Sequence, residues 1–345
     1  MQFHKNILDI QNTGSVETEL QNFIKDQIFD KFKRKGAVIG ISGGIDSALT
    51  CTLCARAIGK DNVLGVLMPE KDSNPKSAIY ARNLCERLGV RFVTIDITDI
   101  LDSFNVYNTR EQIIKKYFPN FTNQDRFRIV VPDRLVNSSS ISLPHLEILD
   151  TKNQTHKIRL SLHDYLELTA ATNIKHRTRM TMLYYYAEKN HFVVAGTTNK
   201  SELVQGYYVK YGDGGVDIEP LAEIYKTQVY QISSHLGIPS EIINRKPSPD
   251  TWNFEVSDED FFFGLPYGTL DLIWYASENN IPPEKVSIEL GLTPEQLELV
   301  MDDQKKKWKS SQHMREIPPR IKPKARKSRR LNSSHVALSR MPSSA

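Results

Sequence analysis

Gly40 to Ala48, GISGGIDSA, gathers in one short string the groups that hold a phosphate. Gly43 and Gly44 permit unusual backbone angles and close approach of phosphate oxygens. Ser42 and Ser47 add hydroxyl donors. Asp46 is a poor neighbour for phosphate by charge unless a cation lies between them. Mg²⁺, which takes carboxylate together with phosphate oxygens, resolves that conflict. The string stands where the apolar run AVIGIS ends and a helical segment from Ser47 to Ile58 begins. Unpaired N–H groups and the positive end of the helix dipole make such a junction suited to an anion. A Gly/Ser turn that merely joins strand to helix is the plainer alternative, and the complete S-G-G-x-D-S string weighs against it. The G-x-x-x-x-G-K-[ST] spacing of the kinase-type loop is absent.

The elements that must position this turn follow from periodicity. Residues 1 to 35 read as a helical lead-in, with Leu20, Phe23, Ile24, Ile28 and Phe32 at helical spacing. After the glycine turn come a second apolar run (NVLGVLMP), a helix-like SAIYARNLCERLG and a third run (VRFVTIDI). Alternating strands and helices with continuous apolar strands predict an α/β fold, a Rossmann-like parallel sheet with helices on both faces. From about Asn105 to Asp164 the β-like pieces RFRIVVP, HLEIL and HKIRLSL predict an inserted hairpin or small subdomain, bounded at about 119–164. DYLELTAATNIKHRTRMTMLYYYAEK then reads as a long helix and HFVVAG as another core strand. A glycine-rich loop, YGDGGVD, leads to the helix YKTQVYQISSHLG, and one or two helices close the body.

Composition narrows the class. Hydrophobic residues make up 39% and charged residues 25% of 345, enough for a buried core. No apolar run approaches the ~20 residues that span a bilayer, so no membrane association is expected. The N-terminus lacks a basic-then-apolar signal pattern, and a cytoplasmic location is the expectation. Cys51, Cys54 and Cys85 are the only cysteines, an odd count that argues against a disulfide framework. Cys51 and Cys54 form a C-x-x-C inside an apolar helical pattern, where packing is favoured over metal or redox work. The net charge of +4 hides a division. From Lys305 onward lie 13 of the 45 Lys/Arg and one of the 41 acids, leaving residues 1 to 304 with 32 basic against 40 acidic groups. Residues 317–345 read as a basic, disordered tail, and LNSSHVALSRMPSSA at 331–345 as a non-native remnant. No aromatic-basic pattern accompanies that tail, so nucleic acid is not an expected partner.

The glycine string resembles the PP-loop of the ATP pyrophosphatase superfamily, whose members cleave ATP between the α and β phosphates. NIKHRTRM, VVAGTTNKSELVQGYYVKYGDGGVDIEPLAEIYKTQV and LGIPSEIINRKPSPD are similar to ammonia-dependent NAD synthetases, in that family's order and spacing. The resemblance covers roughly residues 20 to 118 and 165 to 316, a single domain over 1–316. It implies an ATP-dependent ligase that converts deamido-NAD and ammonia to NAD through an acyl-adenylate, with Mg²⁺ as cofactor, ATP as co-substrate and a homodimer as the working form.

Carried over by position, Gly40, Ile41, Ser42, Gly43, Gly44, Ile45, Asp46 and Ser47 would bind the ATP phosphates. Thr197 would contact ATP, and Lys226 and Ser248 would close on the ATP side. Asp46 and Lys226 would be catalytic, and Asp46 and Glu202 would ligate Mg²⁺. Arg177, Lys210, Asp217 and His313 would hold deamido-NAD. Each has a plainer reading: Glu202 as a local cap or ion pair, Arg177 and Arg179 as solvent-facing, and Gly212, Gly214 and Gly215 as a simple flexible loop or equally a mobile lid. Lys226 at a helix start opposes the dipole, which hints at an anionic partner.

Three departures stand out: Met314 within His313-Met314-Arg315 where the family has His-Lys-Arg, Pro249 after Ser248, and His176 in place of a common alanine. With the unmatched insertion they leave open a paralogous ligase that amidates another carboxylate, and the basic tail leaves open, less favoured, a non-catalytic nucleotide-binding or nucleic-acid-binding protein. The roughly 35 residues before the first strand leave no room for a glutaminase domain, so ammonia is expected from solution or from a separate protein.

Overall fold

In the computed structural model, which describes residues 3–130 and 144–321, the apolar runs become parallel strands. Helix α1 (Thr13–Lys25) starts at Asn12, whose side chain accepts from Ser15 N, and runs into a π-helical turn over Asp26–Lys31. The lead-in is thus helical only from Thr13. Residues before it turn back, burying Phe3 and Leu8 in a different cluster. Strand β1 (Ala37–Gly40) feeds α2 (Ile45–Ile58), then β2 (Val63–Leu67), α3 (Pro75–Leu88) and β3 (Arg91–Thr94). Two helices follow, α4 (Thr98–Ser103) and α5 (Val106–Tyr117), in a stretch where no helix was expected beyond Asn105.

The three β-like pieces form an antiparallel sheet: β4 (Arg126–Val130), β5 (His145–Leu149) and β6 (Thr155–Arg159), in that order. The long helix α6 (Leu162–Asn190) returns the chain to β7 (Val193–Val194), a two-residue strand where HFVVAG predicts a longer one. Then come α7 (Lys200–Gln205), α8 (Lys226–His235), α9 (Ser240–Ile243), α10 (Tyr267–Glu278), α11 (Pro283–Leu290) and α12 (Pro294–Ser310).

The main sheet has the order β3-β2-β1-β7, all parallel, with Ala37 of β1 opposite Val63 and Val193. Its two faces alternate along β1. Ala37 and Ile39 pack with α1, α2, α3 and α8, while Val38 packs with α4, α5 and α6. Burial on both faces is why these strands read as unbroken apolar runs. Cys51, Cys54 and Cys85 are buried free thiols in the first of these layers, with the C-x-x-C used for packing.

The inserted sheet rests on a third cluster, with Phe127, Ile129, Leu146 and Ile148 packed on Ile113 and Leu168. One compact unit ends at Met314, and Arg315 begins a second. The residues read as a disordered tail and non-native remnant lie, from 322 onward, outside the described residues.

Candidate active site

Strand β1 ends at Gly40, and the turn Ile41–Gly44 delivers the chain into α2. The turn is braced by its own hydroxyls. Ser42 N donates to Ser47 Oγ at 3.2 Å, the two hydroxyls lie 3.1 Å apart, and Ser47 Oγ donates to Gly44 O at 2.9 Å. Gly43 has φ +76°, and an added Cβ would lie 2.3 Å from the Ser77 carbonyl of α3. Glycine is therefore required there twice over, by conformation and by space.

Asp46 sits in the first turn of α2. Its Oδ1 accepts from Asn199 Nδ2 at 2.9 Å, and its Oδ2 lies 2.5 Å from Lys226 Nζ. Asn199 caps α7: its side chain accepts from Glu202 N at 3.1 Å, and Glu202 Oε2 accepts from Asn199 N at 3.3 Å. Glu202 is thus a local cap, the plainer reading, and it also reaches Lys226, its Oε1 lying 3.4 Å from Lys226 Nζ.

Two acids that sequence reasoning passed over complete the group. Asp258 accepts from the hydroxyls of Tyr207 and Tyr267, at 2.9 and 3.0 Å, and faces Lys226. Asp271, on α10 and 1% exposed, accepts from Ser201 Oγ at 2.5 Å and from Thr227 N and Oγ1 at 3.1 and 3.0 Å. Ser201 Oγ in turn accepts from Lys226 N at 2.9 Å, so Asp271 fixes the start of α8 and aims Lys226. A carboxylate at that helix start also offsets the dipole that opposes a lysine there. Asp271→Ala leaves those buried donors without a partner and should cost about 1–3 kcal/mol, read as a lower denaturant midpoint. An unchanged midpoint would mean that water replaces the carboxylate.

Burial works against the charge on Lys226, but Asp46, Glu202 and Asp258 outweigh it and raise its pKa. Burial, with Asp46 and Asp258 adding to it against Lys226, pushes Glu202 up to about 8 from an ordinary 4.5. The folded chain therefore holds a proton on Glu202 that the unfolded chain releases, and stability falls as pH rises from 4.5 toward 8. Asp271, raised by burial to about 6, acts in the same sense over the lower part of that window. In EDTA, the stability difference between wild type and Glu202→Gln should shift against the wild type between about pH 6 and 8. A pH-independent difference would remove Glu202 from the acid cluster.

Two adjoining cavities open over the strand ends. One, of about 240 Å³, is lined by Gly40, Leu67, Met68, Arg179, Met180 and Ala195 among others. The other, of about 360 Å³, is lined by Gly44, Asp46, Glu202, Lys226, Lys246 and Ser248 among others. Ser42, His176, Thr197, Asp213, Pro249 and Asp250 border both. Both walls are largely apolar; the second adds Asp46, Glu202, Lys226 and Lys246 and suits phosphates, while the first, with fewer charges, suits a base and sugar.

Of the residues assigned to ATP and metal, Gly40 and Ile41 line the first cavity and Ser42 and Thr197 both. Gly44, Ile45, Asp46, Ser47, Glu202, Lys226 and Ser248 line the second. Gly43 lines neither and packs on α3 instead.

The four residues assigned to the acid substrate lie outside both cavities. Arg177 is exposed on α6. Lys210 Nζ donates to the His313 carbonyl at 2.5 Å. Asp217 holds Val194 N at 2.8 Å and Tyr184 OH at 3.1 Å. Arg179 and His176 occupy the wall in their place, with His176 Nδ1 3.7 Å from Asp213 Oδ1 and its pKa lowered by burial. The Gly212–Gly215 turn is closely packed: a Cβ on Gly214 would lie 2.4 Å from the Tyr208 ring.

A profile of the NAD synthase family matches residues 16–132 and 133–318, running through the inserted sheet. The chain belongs to the NAD synthase family. It is 36% identical over 295 residues to the NH(3)-dependent NAD(+) synthetase of Mesorhizobium japonicum, covering 86% of this chain and 92% of that one. To the Methanocaldococcus jannaschii NH(3)-dependent NAD(+) synthetase it is 33% identical over 309 residues, covering 90% and 97%. The fold is shared with the NMN synthetase of Francisella tularensis, TM-score 0.63 and 22% identity, covering 92% of this chain and all of that one. It is shared too with the Campylobacter jejuni NH3-dependent NAD synthetase, TM-score 0.60 and 24% identity, covering 91% and 100%.

In this NAD synthase family member the acid cluster suits a divalent cation. Asp46, Glu202 and Asp258 face a single ammonium, and Glu202 keeps its proton to about 8 because burial, with Asp46 and Asp258, outweighs Lys226. Two carboxylates beside the glycine turn that heads α2 offer the hard oxygen donors that Mg²⁺ takes.

Proposed function

We propose that this chain is an ammonia-dependent NAD synthetase. The carboxylate of deamido-NAD attacks the α-phosphorus of ATP, and the bond to the β-phosphate breaks. Ammonia then forms a C–N bond at the acyl carbon and gives up a proton to solvent, AMP leaves with the C–O electron pair, and NAD results. The observation that carries this is the meeting of Asp46, Glu202 and Lys226 beside the turn that heads α2, in one cavity.

The first-turn amides of α2, from Ile45 onward, hold the departing pyrophosphate. Lys226 stays charged, although buried, and faces the negative charge that develops there. Thr197 borders both cavities and supports the junction of nucleoside and phosphates. Trp252, Phe261 and Phe262 wall the second cavity with apolar surface and exclude the water that would hydrolyse the adenylate. Asp46 and Glu202 would hold Mg²⁺, which when bound neutralises charge on the phosphates.

Arg177 lies outside both cavities, and its exposure supports a homodimer in which the acid substrate sits nearer a subunit boundary. Light scattering that gives a monomer at working concentration would refute that arrangement. No helix among the described residues is long and apolar enough to cross a membrane, and a cytoplasmic setting belongs to the same proposal.

The deciding experiment is turnover of deamido-NAD with ATP, Mg²⁺ and ammonium, following NAD, AMP and pyrophosphate together. Equimolar formation of all three is expected. Pyrophosphate release without NAD, or amidation of a different carboxylate, would overturn the substrate assignment.

A further inference from the structure

A second set of buried charges lies behind the second cavity, and none of them lines it. Lys175 of α6 and Glu70 of the loop after β2 have side chains 0% exposed, and those of Arg110 of α5 and Asp72 are 2% and 9% exposed. Lys175 Nζ donates to Glu70 Oε1 at 2.7 Å, to Asp72 Oδ2 at 2.8 Å and to the Thr251 carbonyl at 3.0 Å. Arg110 Nη1 donates to Asp72 Oδ2 at 2.7 Å, and its Nη2 reaches the same Thr251 carbonyl at 3.5 Å. Tyr107 OH closes the set on Glu70 Oε2 at 2.8 Å.

Thr251 belongs to a strap, Lys246–Trp252, that has no helix or strand of its own and lines the phosphate-side cavity along its length. It is therefore held by bonds to other parts of the chain, among them Asp258 N donating to the Pro247 carbonyl at 3.0 Å. Two buried cations converge on one of its carbonyls. Asn74 N donates to Asp250 Oδ1 at 3.0 Å. The inserted sheet grips the far end: Phe127 N donates to Asn253 Oδ1 at 2.8 Å and Arg128 Nη1 to the Glu255 carbonyl at 2.6 Å. The Arg110 guanidinium lies over both Phe127 and Trp252, 4.8 and 5.1 Å from their ring centroids.

Removing four ions from water is expensive, and a well-packed apolar set commonly stabilises a fold as well or better. What ions provide and methyl groups do not is direction, here a fixed point for one carbonyl. We propose that Lys175 and Arg110, held by Glu70 and Asp72, form a positioning clamp that sets the strap Lys246–Trp252 over the phosphates, with the inserted sheet as its outer jaw. The proposal rests on the synthetase reading only for the identity of the nucleotide.

The test is the balanced double variant Lys175→Met with Glu70→Gln in the full chain, which leaves Arg110 and Asp72 paired. Tm is expected to change little, while KM for ATP and the calorimetric Kd for ATP with Mg²⁺ rise about tenfold. KM for deamido-NAD is expected to hold within about twofold, and amide exchange across residues 246–253 to quicken. Asn253→Ala, at the outer jaw, should raise the same two ATP constants. A fall in Tm with ATP affinity unchanged would reduce the network to a purely structural role and overturn the clamp, as would unaltered exchange in the strap. If the double variant does not fold, Arg110→Lys keeps the charge, loses the second donor to Thr251 and carries the same readouts. Failure of the wild type to make NAD would sink the synthetase reading alone, since ATP affinity and strap exchange are read without it.

Discussion

Lys226→Met should lower kcat about 10³-fold, the largest single effect expected in this protein. The ammonium lies 2.5 Å from Asp46 and 3.4 Å from Glu202, and Asp258 faces it as well. In the proposed reaction it is the positive group that the developing negative charge of pyrophosphate meets. The variant should also unfold more easily, because it leaves buried acids uncompensated, a loss worth about 3–5 kcal/mol when the charge has no escape. The escape here is protonation. Acids crowded together have raised pKa values, so the folded variant binds more protons than the unfolded chain. Its stability deficit should accordingly shrink as pH falls from about 8 to about 6. Steady-state kinetics with denaturant titrations at both pH values separate the two effects. Turnover within tenfold of wild type would exclude Lys226 from the chemistry.

Gly43→Ala should weaken ATP binding about 100-fold although Gly43 touches neither cavity. A methyl group there lands 2.3 Å from the Ser77 carbonyl, which is backbone and does not yield, and φ +76° is strained for any side chain. The turn must shift, and Ser42 and Gly44, which do line the cavities, shift with it. Gly44→Ala is the matched control. Gly44 has φ −91°, and its added Cβ would meet only the flexible Ser42 hydroxyl at 3.3 Å. Calorimetry on both variants should show Gly44→Ala as the milder. Equal losses would mean that the turn reads side-chain bulk near phosphate rather than its packing on α3.

These two predictions reach residues of different legibility in the sequence. The glycine turn at the head of α2 could be placed because its residues are contiguous and a strand-to-helix switch flanks it, so local rules suffice. Glu202 could be named only through the family resemblance, since one glutamate in a short helix carries no periodic signal. Asp258 and Asp271 escaped notice because they join the site through tertiary packing. Asp271 nevertheless left a trace, a lone acid inside the apolar helical run TLDLIW, where a buried carboxylate needs dedicated donors. The inserted strands were visible as β-like pieces. Helix α5 was not, because the difficulty of the whole stretch from Asn105 hid the spacing of Val106, Ile113 and Tyr117. The substrate-side residues were named through the resemblance alone, since no local pattern marks them. Arg177, Lys210, Asp217 and His313 fall outside both cavities, while His176, treated as a departure, borders each of them.

The three buried thiols turn this molecule into its own opening counter. Cys51, Cys54 and Cys85 all sit between the sheet and the α2 layer, and burial pushes the Cys54 thiol up to about 12. An alkylating reagent added to the native protein therefore waits for that layer to part from the sheet. The labelling rate, followed with and without nucleotide, reports how firmly an occupied phosphate turn pins α2 in place.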